Sequence, residues 1–214
     1  MFLTQLREDD LKLALVGQPN LGKTTLAHIL QFQYPEKISL VPDKFEIIKR
    51  DQLPEPKNVL SLKHYQRALF FFQKELEELV CLGSADKIVV CHGSTLDVLK
   101  YWPDSLESFF DEIHSTLKAE TQRYDWVLQL VSPEDHDEIY PHLSKGPKNI
   151  WMRHPQYISI TVEKDFNLTA RKLANILLQI IEKVPYQQIL ESITDKSWPY
   201  SPREDNLIEK PIQN

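Results

Sequence analysis

Apolar positions along the chain fall into two rhythms that take turns. Short, nearly unbroken runs read as buried strands: Lys12–Val16, Ile38–Pro42, Lys87–Cys91, Trp126–Val131 and Tyr157–Val162. Between them lie longer stretches with apolar residues every third or fourth position, the period of a helix. Thr24–Tyr34 carries Leu26, Ile29, Leu30 and Phe32 and is closed by Pro35. A long helix is expected from Leu62 to Leu82, with Leu62, Tyr65, Leu69, Phe72, Leu76, Leu79 and Val80 on one stripe and Gly83 as its stop. Asp97–Trp102 and Ser105–Leu117 read as helical pieces parted by Pro103, and Leu168–Val184 as a helix with Leu173, Ile176, Leu177, Ile180 and Ile181 inward. Lys49–Asn58, with Pro54 and Pro56, reads as a loop.

Strands that alternate with helices imply right-handed βαβ units and a parallel sheet covered on both faces. The expected architecture is therefore α/β, with a three-layer body over residues 1–184. Residues 185–214 form a proline-rich tail with Pro185, Pro199, Pro202 and Pro211, in which Tyr186–Ile193 has helical character. No internal repeat is visible.

The candidate chemistry sits at the first strand–helix junction. Gly17-Gln18-Pro19-Asn20-Leu21-Gly22-Lys23-Thr24-Thr25 contains G-x-x-x-x-G-K-T, the phosphate-binding loop of P-loop NTPases. Glycine at 17 and 22 lets the backbone turn with positive φ, so that successive N–H groups converge on phosphate oxygens. Lys23 adds a charge that reaches the β- and γ-phosphates, Thr24 a hydroxyl for Mg²⁺, and the following helix points its positive end at the anion. A chain with only five glycines seldom forms this pattern by chance. With this loop the expected fold becomes the P-loop NTPase fold, about five parallel strands in the order 2-3-1-4-5, binding ATP and Mg²⁺.

Composition narrows the field. A net charge of −6 argues against nucleic-acid binding driven by bulk charge. The two cysteines, Cys81 and Cys91, make neither a disulfide framework nor a C-x-x-C metal site. Met1–Asp10 is short and acidic, unlike a signal peptide, and no apolar run approaches the roughly 20 residues of a membrane span. A cytoplasmic protein is expected. A GTPase would carry N-K-x-D, which Val162-Glu163-Lys164-Asp165 lacks, and a serine hydrolase G-x-S-x-G, which is absent.

Several landmarks together resemble a known group. Gly17–Leu26 looks like the G-x-P-x-x-G-K-T-T-L of small AAA-type ATPase/kinase domains, which include the nicotinamide-riboside kinase domain and are related to deoxynucleoside and thymidylate kinases. Val41-Pro42-Asp43 resembles their V-P-E. Ile88–Tyr101 is similar to their hydrophobic strand, D-R-G and D-x-x-x-Y, and Tyr124–Pro133 to their Y-D-x-V-x-x-L-x-P strand. The resemblance spans residues 11–184 and implies phosphoryl transfer from ATP, with a lid near Arg153. One departure stands out: the acidic-basic pair that ends the third strand in that group is Cys91-His92 here.

These readings give a set of candidates. Asp43, just past a strand's carboxyl end, could take a proton from an acceptor hydroxyl or help hold Mg²⁺, or be a solvated turn residue. Asp97 caps a helix, contacts the metal or binds the acceptor. His92 stands in for the missing Arg, binds a phosphate, or is a satisfied core histidine. Arg153, with Lys145, Lys148 and His154, supplies lid charge for the transferred phosphoryl group. Gln73, behind Phe70-Phe71-Phe72, reads a base or belongs to the helix core, and Tyr101 and Trp102 share that ambiguity. Cys91 reads as inert core. The function expected is an ATP-dependent phosphotransferase acting on a small hydroxyl acceptor such as a nucleoside or nucleotide. The alternative is a regulatory P-loop ATPase acting on a partner macromolecule, with the tail as its docking segment.

Overall fold

The computed structural model describes residues 11–50, 53–84, 87–133 and 149–194. Five strands, β1 (Lys12–Gly17), β2 (Ile38–Val41), β3 (Ile88–His92), β4 (Trp126–Val131) and β5 (Tyr157–Thr161), form one parallel sheet in the order β2-β3-β1-β4-β5. This is the order expected from the sequence. Side chains alternate across a strand, so the apolar run of β1 feeds two cores at once. Leu13 and Leu15 join the core under α1 (Lys23–Gln33) and α6 (Phe166–Ile181), while Ala14 and Val16 face α3 (Val59–Leu82). Between them lie α2 (Lys44–Arg50), a 3-10 segment (Thr95–Tyr101), α4 (Leu106–Ile113) and α5 (Leu117–Thr121).

The helices depart from their expected limits for local reasons. α3 begins at Val59 rather than Leu62, because Asn58 and Ser61 form a capping box: the Asn58 side chain accepts from the Ser61 N–H, and the Ser61 hydroxyl oxygen accepts from the Asn58 N–H. Such a cap contributes about 1 kcal/mol. Its buried face is also turned from the expected stripe. Gln66, Leu69, Phe70, Gln73, Glu77 and Cys81 point inward, whereas Leu79 is exposed. In α1, Leu26, Ala27 and Leu30 are buried and Phe32 is left in solvent.

The body also runs past residue 184. Helix α7 (Tyr186–Thr194) buries Ile189 completely in the core beneath α6, and the Tyr186 hydroxyl donates to the Tyr157 carbonyl at 2.7 Å. The rest of the expected tail, 195–214, lies outside the described residues. Among the described residues no helix is long and apolar enough to cross a membrane.

Candidate active site

Strand register brings the chemistry to one edge. Leu15 pairs with His92, Gly17 with Leu130 and Val41 with Cys91, so the segments after β1, β2 and β3 leave the sheet side by side at its carboxyl edge. That edge is where open α/β sheets hold ligands. The loop has the backbone its glycines imply, with φ of 146° at Gly17 and 77° at Gly22; Asn20 is left-handed too, at 66°. A Cβ on Gly17 would lie 2.5 Å from the Leu130 carbonyl oxygen, and one on Gly22 would meet the Phe166 ring. We expect Gly17→Ala to cost about 2 kcal/mol through strain alone. Thermal unfolding should record this as a midpoint lower by about 4–8 °C.

Lys23, in the first turn of α1, donates from Nζ to the carbonyls of Gly17 at 3.2 Å and Gln18 at 2.6 Å. Burial pulls its ammonium below the ordinary lysine value, opposed by the charge of Asp97. The Thr24 hydroxyl meets His92 Nε2 at 2.9 Å, and His92 Nδ1 lies 3.3 Å from Asp43 Oδ2. An ionised carboxylate can only accept, so a ring proton on Nδ1 is the one that faces a partner, and in that tautomer Nε2 is free to accept the Thr24 proton. Burial holds the imidazole below its ordinary value despite Asp43, with Lys23 adding to the effect. The other Asp43 oxygen accepts from the Phe45 N–H at 2.8 Å, starting α2.

Asp97 takes the capping place. Its carboxylate accepts from the backbone N–H and the hydroxyl of Ser94, each at 3.0 Å. Gly93, with φ 83°, makes the turn that allows this, since a Cβ there would strike the Asp97 carboxylate. Burial pushes the Asp97 carboxyl up, but Lys44, Lys100 and the Ser94 N–H outweigh it and keep it below the usual carboxylate value.

Two lysines outside the set of sequence-based candidates complete the charge pattern. Lys44 is fully buried, 3.5 Å from Asp97, and donates to the Ser94 carbonyl at 3.1 Å and to Gln73 Oε1 at 3.3 Å. A cation in the first turn of a helix opposes the helix dipole, which is the signal that could have singled it out. Lys100 donates to the Gly17 carbonyl at 3.3 Å, the same oxygen that Lys23 uses.

Other candidates lie elsewhere. Arg153 is exposed in the turn that precedes β5, and its neighbour His154 bonds the Tyr124 carbonyl ahead of β4. Both positions belong to the amino edge of the sheet, opposite the loop, so the structure does not bring Arg153 to the site. Lys145 and Lys148 lie outside the described residues. Gln73 faces the core, not a base pocket: its amide links Lys44 to Glu77 at 3.0 Å. Trp102 is core, with Nε1 donating to the Ser108 hydroxyl, while Tyr101 is half exposed. Cys91 is fully buried and its thiol pushed up by that burial, as inert core should be.

A divalent cation that travels with a nucleotide needs few protein ligands, since phosphate and water oxygens fill most of its shell. The donor set fits that case. Thr24 Oγ1 lies 2.9 Å from His92 Nε2, and a hydroxyl that donates its proton there keeps both lone pairs for a cation. Among the described residues no group of three or more His, Cys, Asp or Glu side chains could hold a metal unaided.

The order of the five parallel strands and the loop at the end of β1 define a P-loop α/β fold. In fold the chain is similar to the thymidylate kinase of Ehrlichia chaffeensis, with a TM-score of 0.57 and 15% identity over 78% of this chain and 98% of that one. A gluconokinase from Sinorhizobium meliloti 1021 aligns over 85% of this chain and 99% of its own, with 11% identity and a TM-score of 0.39, which bears on nothing further. No protein-family profile matches the sequence, and no curated protein matches it. The likeness to the thymidylate kinase is one of fold.

Proposed function

We propose that the protein transfers the terminal phosphoryl group of ATP to the hydroxyl of a small acceptor, such as a nucleoside, a nucleotide or a related metabolite. The observation that carries this reading is the loop itself. Positive-φ glycines, the Lys23 ammonium and the Thr24 hydroxyl stand together at the carboxyl edge of a parallel sheet. Gly17–Thr25 cradles the β- and γ-phosphates through its N–H groups and Lys23 neutralises their charge. Thr24 and the nearby Asp43 are the protein groups that would hold Mg²⁺, and the cation would draw negative charge off the phosphates.

In the transfer the acceptor oxygen forms a bond to the γ-phosphorus as the bond to the β–γ bridging oxygen breaks, and ADP departs. The acceptor proton passes to the Asp43 side of the site. Asp97, held by Ser94 and facing Lys44, acts by holding the rim where the acceptor would lie. Lys100 takes the part expected of Arg153, a second cation for the charge on the transferred group, from its place beside Gly17.

Incubation with ATP, Mg²⁺ and a panel of nucleosides, nucleotides and sugars tests the reading. Release of ADP should depend on one class of acceptor and yield a phosphorylated product. Hydrolysis that ignores every acceptor would replace it with the regulatory ATPase alternative.

A further inference from the structure

Three segments distant in sequence place a hydroxyl, an imidazole and a carboxylate in line. Thr24 Oγ1 lies 2.9 Å from His92 Nε2, and His92 Nδ1 lies 3.3 Å from Asp43 Oδ2. We propose that His92 and Asp43 work as one relay that aims the Thr24 oxygen at the divalent cation of the bound nucleotide. Asp43 fixes which ring nitrogen carries the proton, and the other nitrogen takes the proton of Thr24. The inference rests on the ATP–Mg²⁺ reading above and adds to it a positioning residue, His92, together with a route by which Asp43 acts.

The argument is one of donors and acceptors. A threonine hydroxyl has one proton and two lone pairs. When the proton is committed to an acceptor behind it, both lone pairs turn toward the phosphate side. A carboxylate behind the hydroxyl would do this directly, but an imidazole does so only as the Nδ1–H tautomer. In the other tautomer Nε2–H would donate to Thr24 Oγ1 and occupy a lone pair that the cation needs. The Asp43 carboxylate removes that ambiguity, because it accepts and never donates. The ring is also held firmly, since His92 ends a strand paired to β1 and is only 7% exposed. Asp43 is fixed in turn by the Phe45 N–H at the start of α2. The negative charge of the pair is set one ring width back from the hydroxyl, so the cation meets a neutral oxygen with a carboxylate behind it. Partners of this kind behind a metal ligand typically change metal affinity by about 10–100-fold when removed.

The test reads the cation's contribution to nucleotide binding, apart from turnover. A methylanthraniloyl derivative of ATP is titrated into the full-length protein in EDTA and again in excess Mg²⁺, and the ratio of the two affinities is taken. The ratio should fall by about 10–100-fold in His92→Phe, which removes the acceptor. His92→Gln, whose carbonyl oxygen reaches about as far as Nε2, should restore most of it. Asp43→Asn should lower the ratio in the wild-type background and add nothing to His92→Phe, since Asp43 acts through the ring. Nitrogen-15 spectra of the wild type should report the proton on His92 Nδ1, and a mixture of tautomers in Asp43→Asn. An unchanged ratio in a folded His92→Phe, additive effects of the two substitutions, or a wild-type proton on Nε2 would each overturn the relay. If His92→Phe does not fold, His92→Gln and the wild-type spectrum decide. Failure of the wild type to bind the nucleotide in either condition would instead remove the ATP reading, and the relay with it.

Discussion

Lys23→Ala should lower ATP-dependent turnover by about 10²–10³-fold, the usual loss when one preorganised donor to developing charge is removed. A hydrogen bond to a charged group is worth about 1.5–3 kcal/mol, so affinity for the nucleotide should fall by roughly 10–100-fold as well. Fluorescent-nucleotide titration measures the second effect, and equal binding by wild type and variant would remove the loop from the mechanism. Folding should survive, for an electrostatic reason. The buried ammonium sits below its ordinary value, so the folded state binds that proton less well than the unfolded chain. The charge therefore opposes folding at neutral pH, and this penalty fades only as pH rises through the lysine range. The unfolding midpoint of Lys23→Ala should match or exceed that of the wild type near neutrality, and the advantage should shrink in alkali.

Glu77→Ala should produce the larger loss of stability. Glu77 is fully buried and receives the Tyr124 hydroxyl at 2.7 Å, Gln73 Nε2 at 3.0 Å and Arg123 at 2.9 Å, with Lys12 Nζ at 3.7 Å. Removing it takes from Arg123 and Lys12 their fully buried anionic partner, leaving the more exposed Glu78 to both and Glu120 to Arg123. It also strips the Tyr124 hydroxyl and the Gln73 amide of their acceptor. Breaking a buried pair in this way costs about 3–5 kcal/mol. Thermal unfolding should show a midpoint lower by about 6–20 °C. A second readout separates lost charge from a lost side chain. Burial lowers the Lys12 ammonium, but Glu77, joined by the neighbouring Cys81 and Cys91, outweighs this and leaves it raised. Its stabilising contribution is present below the ordinary lysine value and is lost as pH climbs through the raised one. That alkaline loss of stability should be shallower in Glu77→Ala and in Glu77→Gln. A wild-type midpoint in Glu77→Ala would refute the assignment of Glu77 as the centre of the cluster.

The same side chain explains what the sequence could and could not tell. Buried parallel strands announce themselves as apolar runs, and the glycine spacing announces a tight strand-to-helix loop, so the five strands and the turn after β1 are legible, while their order is expected from the P-loop. Hydrophobic periodicity fails on α3, because Gln73 and Glu77 face inward and are satisfied there by Lys44, Tyr124, Arg123 and Lys12. A polar residue with buried partners looks like surface until the partners are known, and those partners are far away along the chain. Phe32 fails in the opposite sense, since one apolar residue in solvent carries little penalty. Order along the chain misplaces Arg153: it lies between β4 and β5, but a chain entering a parallel strand must first return to the amino edge. His92 is visible in the sequence as a departure from the resemblance; its place between Thr24 and Asp43 emerges only from the register of β3 against β1.

The ring of Phe166, first residue of α6, fills the space that a side chain on Gly22 would need. The loop after β1 is thus packed against a residue that follows it far along the chain. A nascent chain that has emerged only as far as β3 owns every loop residue but lacks that contact, and lacks β4, whose Leu130 lies against Gly17. If the loop holds phosphate as proposed, that competence should arise only once β4 and the β5–α6 unit have docked, and a chain cut before them should not bind nucleotide.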